Sequence, residues 1–104
     1  MLAGAKVVTP VARPHGRHVF NQYTIRAANR EGLQKHLNAR EIGNAIYYPV
    51  PLHLQKCYAG LGYAEGSLPE AERASREVIS IPVYPELTDQ MARHVADSIR
   101  EFTG

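Results

Sequence analysis

Two phenol side chains and an imidazole lie within the short segment 46–53, whose sequence is IYYPVPLH. The phenols of Tyr47 and Tyr48 can hydrogen-bond sugar hydroxyls or phosphate oxygens while their rings pack on a sugar face, and His53 can add a further donor. Prolines at positions 49 and 51 stiffen the backbone between these side chains. We therefore predict that Tyr47, Tyr48 and His53 bind a substrate.

Each of these residues also has a purely structural interpretation. Adjacent residues of a strand point to opposite sides, so either Tyr47 or Tyr48 could face the core. His53 could bond only the local backbone at the start of a helix. Cys57 is expected to be buried or half-buried, because a free cysteine packs as a small apolar residue. As the only cysteine it excludes an internal disulfide bond.

Polar and basic residues around the first predicted strand have weaker functional signals. Asn21, Gln22 and Tyr23 either line a cleft or form a solvated sheet surface, and we favour the solvated surface. Arg26 and Arg30 stand at a strand end and at a helix start, where arginines are usually solvated. No role is therefore assigned to these two arginines.

Several other kinds of site have no pattern in this sequence. Five histidines and ten carboxylates show no metal-binding spacing, and no Walker-type loop, G-x-G-x-x-G or G-x-S-x-G motif occurs. The basic residues behind the formal charge of +2 are scattered, so we expect no nucleic-acid binding. We expect a soluble, cytoplasmic chain, because neither a secretory signal nor the roughly 18 apolar residues of a membrane helix are present.

The elements that must position these residues follow from the pattern of β-branched, apolar and turn-forming residues. Strands are predicted at 18–27, 44–48 and 79–83. Helices are predicted at 30–40, from 51 to 62, from 67 to about 78, and from 88 onwards. Proline at position 82 indicates that the last strand either lies at an edge of the sheet or pairs over a very short length.

Capping residues and apolar stripes define the predicted helices. Asn29 and Thr88 are expected to cap the first and the last helix, and the S-x-x-E spacing at 67–70 predicts a capping box. Gly43 and Gly62 are expected to end the first two helices. The apolar residues at helical spacing are Leu33 and Leu37, then Leu54, Tyr58 and Leu61, then Met91, Val95, Ile99 and Phe102.

Together these elements predict an α+β fold for residues 18–104, in which about four helices cover a small three-stranded sheet. Residues 1–17, with two prolines and two glycines, are expected to be an irregular connector. A chain of 104 residues has room for one domain with a modest core.

Four segments follow one another along the chain: HVFNQYTIR, NREGLQKHLNAREIG, IYYPVPLHLQKCY and LGYAEGSLPEAERASREVISIPVYPELT. From about residue 17 to the end, this order resembles the C-terminal part of the DegT/DnrJ/EryC1/StrS family. These are sugar aminotransferases of fold type I that depend on pyridoxal 5'-phosphate (PLP). In the family, the loop corresponding to 46–53 borders the substrate pocket, commonly as His-Tyr-Pro. Tyr47 stands here in place of that histidine.

The resemblance implies that residues 18–104 are the small C-terminal domain of a PLP enzyme and that 1–17 joins it to a large domain. PLP catalysis needs a Schiff-base lysine, an acidic partner for the pyridine nitrogen and a phosphate-binding loop. The resemblance places these in the large domain, so no catalytic, cofactor-binding or metal-binding residue is assigned in this chain. It implies that an intact homodimer transfers an amino group from glutamate to a nucleotide-linked keto sugar.

The fragment alone is expected to be inactive and to bind no PLP. It is also expected to self-associate, because it exposes apolar surface that the large domain and the second subunit would otherwise cover. The alternative is a truncated or stand-alone α+β binding module without catalysis.

Overall fold

Two strands and three α-helices make up the regular structure, and the computed structural model describes all residues 1–104. In chain order the elements are β1 (Tyr23–Arg26), α1 (Arg30–Ala39), α2 (Pro69–Glu77), β2 (Val78–Ile81) and α3 (Asp89–Thr103). Between α1 and α2 the chain forms two short 3-10 helices, Leu52–Leu54 and Lys56–Leu61. None of the helices combines the length and the apolar character needed to cross a membrane.

The sheet has two strands, β1 and β2, which pair in antiparallel orientation. The predicted strand at 44–48 does not form, since Ala45 makes only a single bridge to Ser80 on the outer side of β2. A second isolated bridge joins Val8 to Arg26 on the outer side of β1. The prediction of an α+β fold is confirmed, but the prediction of three strands is wrong.

Local side-chain bonds explain why the chain after α1 does not become a strand. The Nδ2 of Asn44 donates to the Oδ1 of Asn38 at 2.7 Å and to the carbonyl of Ile42 at 3.1 Å. These bonds hold the segment against the end of α1. Beyond it, Pro49 and Pro51 have no backbone N–H to donate to a ladder.

The two observed strands are shorter than predicted or displaced from the predicted range. At the start of β1, the backbone N–H of Phe20 donates to His18 Nδ1 at 2.8 Å, and Phe20 itself has a φ of 47°. This local turn breaks the extended geometry that the range 18–27 requires. β2 ends at Ile81 rather than at position 83, because Pro82 cannot donate to a partner strand.

Helix α1 begins as predicted but ends differently. Asn29 Oδ1 accepts from the N–H of Gly32 at 3.1 Å, which confirms the predicted cap. At the other end, the N–H of Glu41 donates to Asn38 O and the N–H of Ile42 donates to Leu37 O, both at 3.0 Å. This is a Schellman motif, and Glu41, with φ 57°, takes the left-handed position expected for a glycine. Gly43 is therefore not the residue that ends the helix.

The predicted helix from 51 to 62 is replaced by the two 3-10 helices. Gln55 between them is extended, with φ −72° and ψ 141°, which interrupts helical bonding. As a result the predicted stripe is not buried: Tyr58 is 42% exposed and Leu61 is 66% exposed. Gly62 ends the segment with φ 84°, which confirms it as the terminating glycine.

The predicted capping box at the start of α2 also does not form. Ser67 Oγ accepts from the N–H of Ala64 at 3.0 Å instead of from α2. Glu70 remains exposed, 3.9 Å from Arg73 one turn further along the same helix. The cap of α3 does form, because Thr88 Oγ1 accepts from the N–H of Met91 at 3.2 Å.

The core lies between the sheet, α1 and α3. Its eight buried apolar residues are Ile25, Ala27, Leu33, Leu37, Ile42, Ile79, Val95 and Ile99. The predicted α3 stripe is buried only in part, because Met91 is half exposed. Residues 1–17 contain no helix or strand, although Leu2, Ala5 and Val7 pack against this core.

Arg30 is buried, which contradicts its expected solvation. Its Nη1 donates to the carbonyls of Ser75 at 3.1 Å and Val78 at 3.2 Å, where α2 ends and β2 begins. A cation at this place satisfies carbonyls that the helix leaves without partners and interacts favourably with the helix dipole. Arg26 is likewise paired, with its Nη2 2.8 Å from Glu77 Oε2.

We expect Arg30→Ala to lower the free energy of unfolding by about 2 kcal/mol, because two carbonyls would lose a charged donor. Urea denaturation measures this change. The matched control is Arg93→Ala, at an exposed arginine of α3, which should change stability by less than about 0.5 kcal/mol. Equal effects of the two substitutions would show that the contacts of Arg30 contribute nothing specific.

Candidate functional site

Two clefts open on the surface, and Tyr47 belongs to the lining of both. The first cleft, of about 1030 Å³, runs between the segment that follows α1 and the N-terminal part of α3. The second cleft, of about 620 Å³, lies between the 3-10 helices and α2. We call the second one the tyrosine cleft, after Tyr47, Tyr48, Tyr58 and Tyr63 in its walls.

The tyrosine cleft has a mostly apolar lining with few polar groups. Small side chains of α2, Ala71 and Ala74, line one side, and Leu61 and Leu68 line other parts of its wall. Concave sites of this composition, with a small number of placed polar groups, are typical for small-molecule ligands. The phenol groups supply donors and acceptors that such a ligand would need.

Tyr47 and Tyr48 both face outwards. Tyr47 is 46% exposed and Tyr48 is 71% exposed, so the interpretation in which one of them faces the core is wrong. Their ring centroids are 5.7 Å apart and the rings meet edge to face. Both rings are therefore available to a ligand or to another protein surface.

His53 is placed differently from the two tyrosines, because it is only 7% exposed. Its ring contributes to the lining of the tyrosine cleft and lies edge-on to Tyr63, with 6.2 Å between the ring centroids. Its Nε2 lies 3.7 Å from Glu72 Oε2 on α2. The nitrogen thus faces a carboxylate of another element and not the local backbone.

Two polar residues that precede β1 line the first cleft. Asn21 and Gln22 are exposed and line this cleft together with Tyr47, whereas Tyr23 packs against the core. The two interpretations left open for these residues are thus compatible for Asn21 and Gln22, which are both solvated and part of a cleft.

Cys57 is exposed, which contradicts the expected burial. It lies in the second 3-10 helix, where Sγ is 3.9 Å from Gln55 Oε1 and none of the residues is buried. Nowhere in the chain do three or more His, Cys, Asp or Glu side chains come together in a way that could hold a metal ion.

The sequence prediction missed Tyr58, Tyr63 and Glu72 as parts of this region. Tyr58 belongs to the predicted apolar stripe of a helix, and Tyr63 lies just after the glycine that ends the segment. Glu72 lies two residues after Glu70, which is the glutamate of the predicted S-x-x-E capping box. Only the three-dimensional path of residues 52–68 brings these side chains to one place.

A comparison with protein-family models matches residues 1–100 to the DegT/DnrJ/EryC1/StrS aminotransferase family. The chain belongs to this family. The match includes the irregular segment 1–17 as well as the folded part that follows it. The fold agrees as well, since the small α+β domain superposes on solved sugar aminotransferases over nearly its whole length.

Three relatives illustrate the similarity. The pleiotropic regulatory protein of Geobacillus stearothermophilus is 50% identical over 99 residues, which are 95% of this chain and 27% of that protein. The dTDP-3-amino-3,4,6-trideoxy-alpha-D-glucose transaminase of Streptomyces venezuelae is 43% identical over 93 residues, 89% of this chain and 24% of that protein. The crystal structure of S. venezuelae DesV in complex with a ketimine intermediate gives a TM-score of 0.92 at 42% identity, covering 98% of this chain and 28% of that one.

This chain therefore spans about a quarter of the length of the relatives it matches. The family depends on PLP, which enzymes of this kind hold through a lysine. Lys6, Lys35 and Lys56 are all exposed, and none of them lines either cleft. The residues present in this chain do not fit a PLP site.

We expect no stable PLP adduct on the purified chain, because a lysine amine in open solvent gains nothing from a surrounding site. The measurement is incubation with PLP, reduction with borohydride and peptide mass spectrometry. A stoichiometric adduct confined to Lys6, Lys35 or Lys56 would contradict this expectation.

Proposed function

We propose that this chain is the small C-terminal domain of a longer PLP-dependent aminotransferase that acts on a nucleotide-linked keto sugar. The observation that carries the proposal is the tyrosine cleft, an open wall of aromatic and small apolar residues on a domain that matches one quarter of sugar transaminases. A large domain of the same protein would carry the cofactor and its lysine. The fragment alone would then be catalytically inactive.

Nucleotide sugars are the substrate class that relatives of this chain favour. One relative is named for a dTDP-linked amino sugar, and another, from Acidithiobacillus ferrooxidans and 37% identical, for UDP-N-acetyl-3-dehydro-alpha-D-glucosamine. Glutamate is the amino donor that we propose.

Within this scheme, Tyr47 and Tyr48 would contact the sugar directly. Their rings are exposed and can pack on a sugar face, while the hydroxyls can exchange hydrogen bonds with sugar hydroxyls or phosphate oxygens. His53 is part of the same wall, but its Nε2 lies close to Glu72 and the residue is almost fully buried, so it would contact the ligand less than the tyrosines do.

The tyrosine cleft can be tested with UDP-N-acetylglucosamine as the probe. We expect Tyr48→Ala to weaken binding of this nucleotide sugar about five- to tenfold, because the loss of an aromatic contact costs about 1 kcal/mol. Isothermal titration of the chain measures the affinity. Tyr84→Ala is the matched control, since Tyr84 lines only the first cleft and its loss should leave the affinity unchanged.

If Tyr84→Ala weakened binding of the nucleotide sugar and Tyr48→Ala did not, the ligand would bind in the first cleft. An absence of any binding by the chain would favour the alternative that it is a stand-alone α+β module with another role.

We further propose that the intact enzyme is a homodimer. Large apolar side chains in the wall of the tyrosine cleft are exposed, among them Leu52 at 69% and Leu61 at 66%. Exposed apolar surface of this kind is usually covered by another protein surface.

The chain by itself should accordingly self-associate, because this surface is then open to solvent. Sedimentation velocity at increasing protein concentration is the measurement, and the sedimentation coefficient should rise with concentration. Leu61→Lys should shift the distribution towards monomer, whereas Val11→Lys, at an exposed residue away from both clefts, should not. A single monomer species at millimolar concentration would count against the dimer.

A further inference from the structure

Glu72 is a buried carboxylate for which neither the sequence nor the proposed function has a use. The residue is 3% exposed and lies in the first turns of α2. One carboxylate oxygen accepts from the N–H of Gly66 at 2.7 Å, and the other accepts from the N–H of Leu68 at 3.2 Å. Burying a charge is costly unless it is well paired, so these contacts must be part of what keeps it there.

The third group at this carboxylate is the imidazole of His53. Its Nε2 is buried and makes no hydrogen bond, and it lies 3.7 Å from Glu72 Oε2, which is within ion-pair distance. The side chains of both residues are about 5% exposed or less. The carboxylate therefore lies close to this nitrogen where both side chains are almost fully buried.

These contacts join parts of the chain that belong to no α-helix or strand. His53 belongs to the first 3-10 helix, and Gly66 and Leu68 belong to the turn that leads into α2. Tyr63 lies between them in sequence, and its ring is nearly perpendicular to that of His53, at an interplanar angle of 78°. All three contacts thus attach the segment 53–68 to one side chain of α2.

The same segment supplies much of the tyrosine cleft. His53, Tyr63 and Leu68 line the cleft, whereas Glu72 lies behind this wall and does not line it. A plain helix cap would explain the bond to Leu68 but not the bond to Gly66 or the orientation of His53. The carboxylate is placed to fix the wall and not to touch a ligand.

We propose that Glu72 is a positioning residue that holds His53 and Tyr63 in the wall of the tyrosine cleft. Its effect on a ligand is exerted through those two side chains. The inference rests on the proposed function only in treating this cleft as a ligand site, since the attachment of 53–68 to α2 is independent of what binds there.

Amide hydrogen exchange followed by NMR tests the attachment. In Glu72→Ala the amides of Gly66 and Leu68 should exchange at least about tenfold faster, because both lose their acceptor. Glu72→Gln keeps the side-chain shape and one acceptor oxygen, so it should fold and show a smaller increase. Glu70→Ala, at an exposed glutamate of the same helix, is the matched control and should change neither rate.

The NMR signals of the Tyr63 and His53 side chains distinguish a positioning role of Glu72 from a purely structural one. They should shift in Glu72→Gln while the far-ultraviolet circular dichroism stays that of the unsubstituted chain. Unchanged amide exchange in Glu72→Ala, or unchanged ring signals in Glu72→Gln, would overturn the proposal. If Glu72→Ala does not fold, the Tyr63 and His53 ring signals in Glu72→Gln alone test the proposal.

Titration with UDP-N-acetylglucosamine separates this inference from the proposed function. If the chain binds this probe, Glu72→Gln should weaken the affinity about threefold or more, and equal affinity would overturn the role of Glu72 in the ligand site. If the unsubstituted chain does not bind it while the ring signals shift in Glu72→Gln, the proposed function fails and the positioning of the wall is supported.

Discussion

The pairing of β1 with β2 is the interaction on which the rest of the structure depends. A two-stranded antiparallel pair is only marginally stable in water, so it needs a covering layer of helices. Ile25 and Ile79 lie opposite each other in this pair and are fully buried against Leu33 of α1 and Ile99 of α3. Because the two strands are far apart in sequence, their pairing brings both ends of the chain into one core.

This arrangement leaves the chain between α1 and α2 with little share in the core. From Gly43 to Ala71, only His53 is buried, and its neighbours include several exposed tyrosines and leucines. Apolar burial cannot therefore fix the path of this segment. Prolines, turns and polar contacts such as those of Glu72 take over this role, and the apolar side chains remain available for contacts outside the domain.

Some features that depend only on neighbouring residues are predicted correctly from the sequence, although the capping box at 67–70 and the helix end at Gly43 are not. Asn29 and Thr88 cap their helices as expected, because a cap needs only a side chain and an N–H two or three residues away. Features that depend on residues distant in the sequence are not predicted. The bonds of Arg30 to carbonyls about 45 residues away, and the choice of Glu72 over Glu70, follow from the tertiary path and have no local sequence signal.

The division between core and wall also bears on Tyr47, at the position where the resemblance implies a histidine in the family. Tyr47 is half exposed and belongs to both clefts, but it is not part of the apolar core. Exchanging histidine for tyrosine there changes the reach and the hydrogen-bonding group that a ligand meets, with little effect on the packing of the domain. Under the proposed function, substrate preference would therefore vary at this position while the sheet and its helices stay the same.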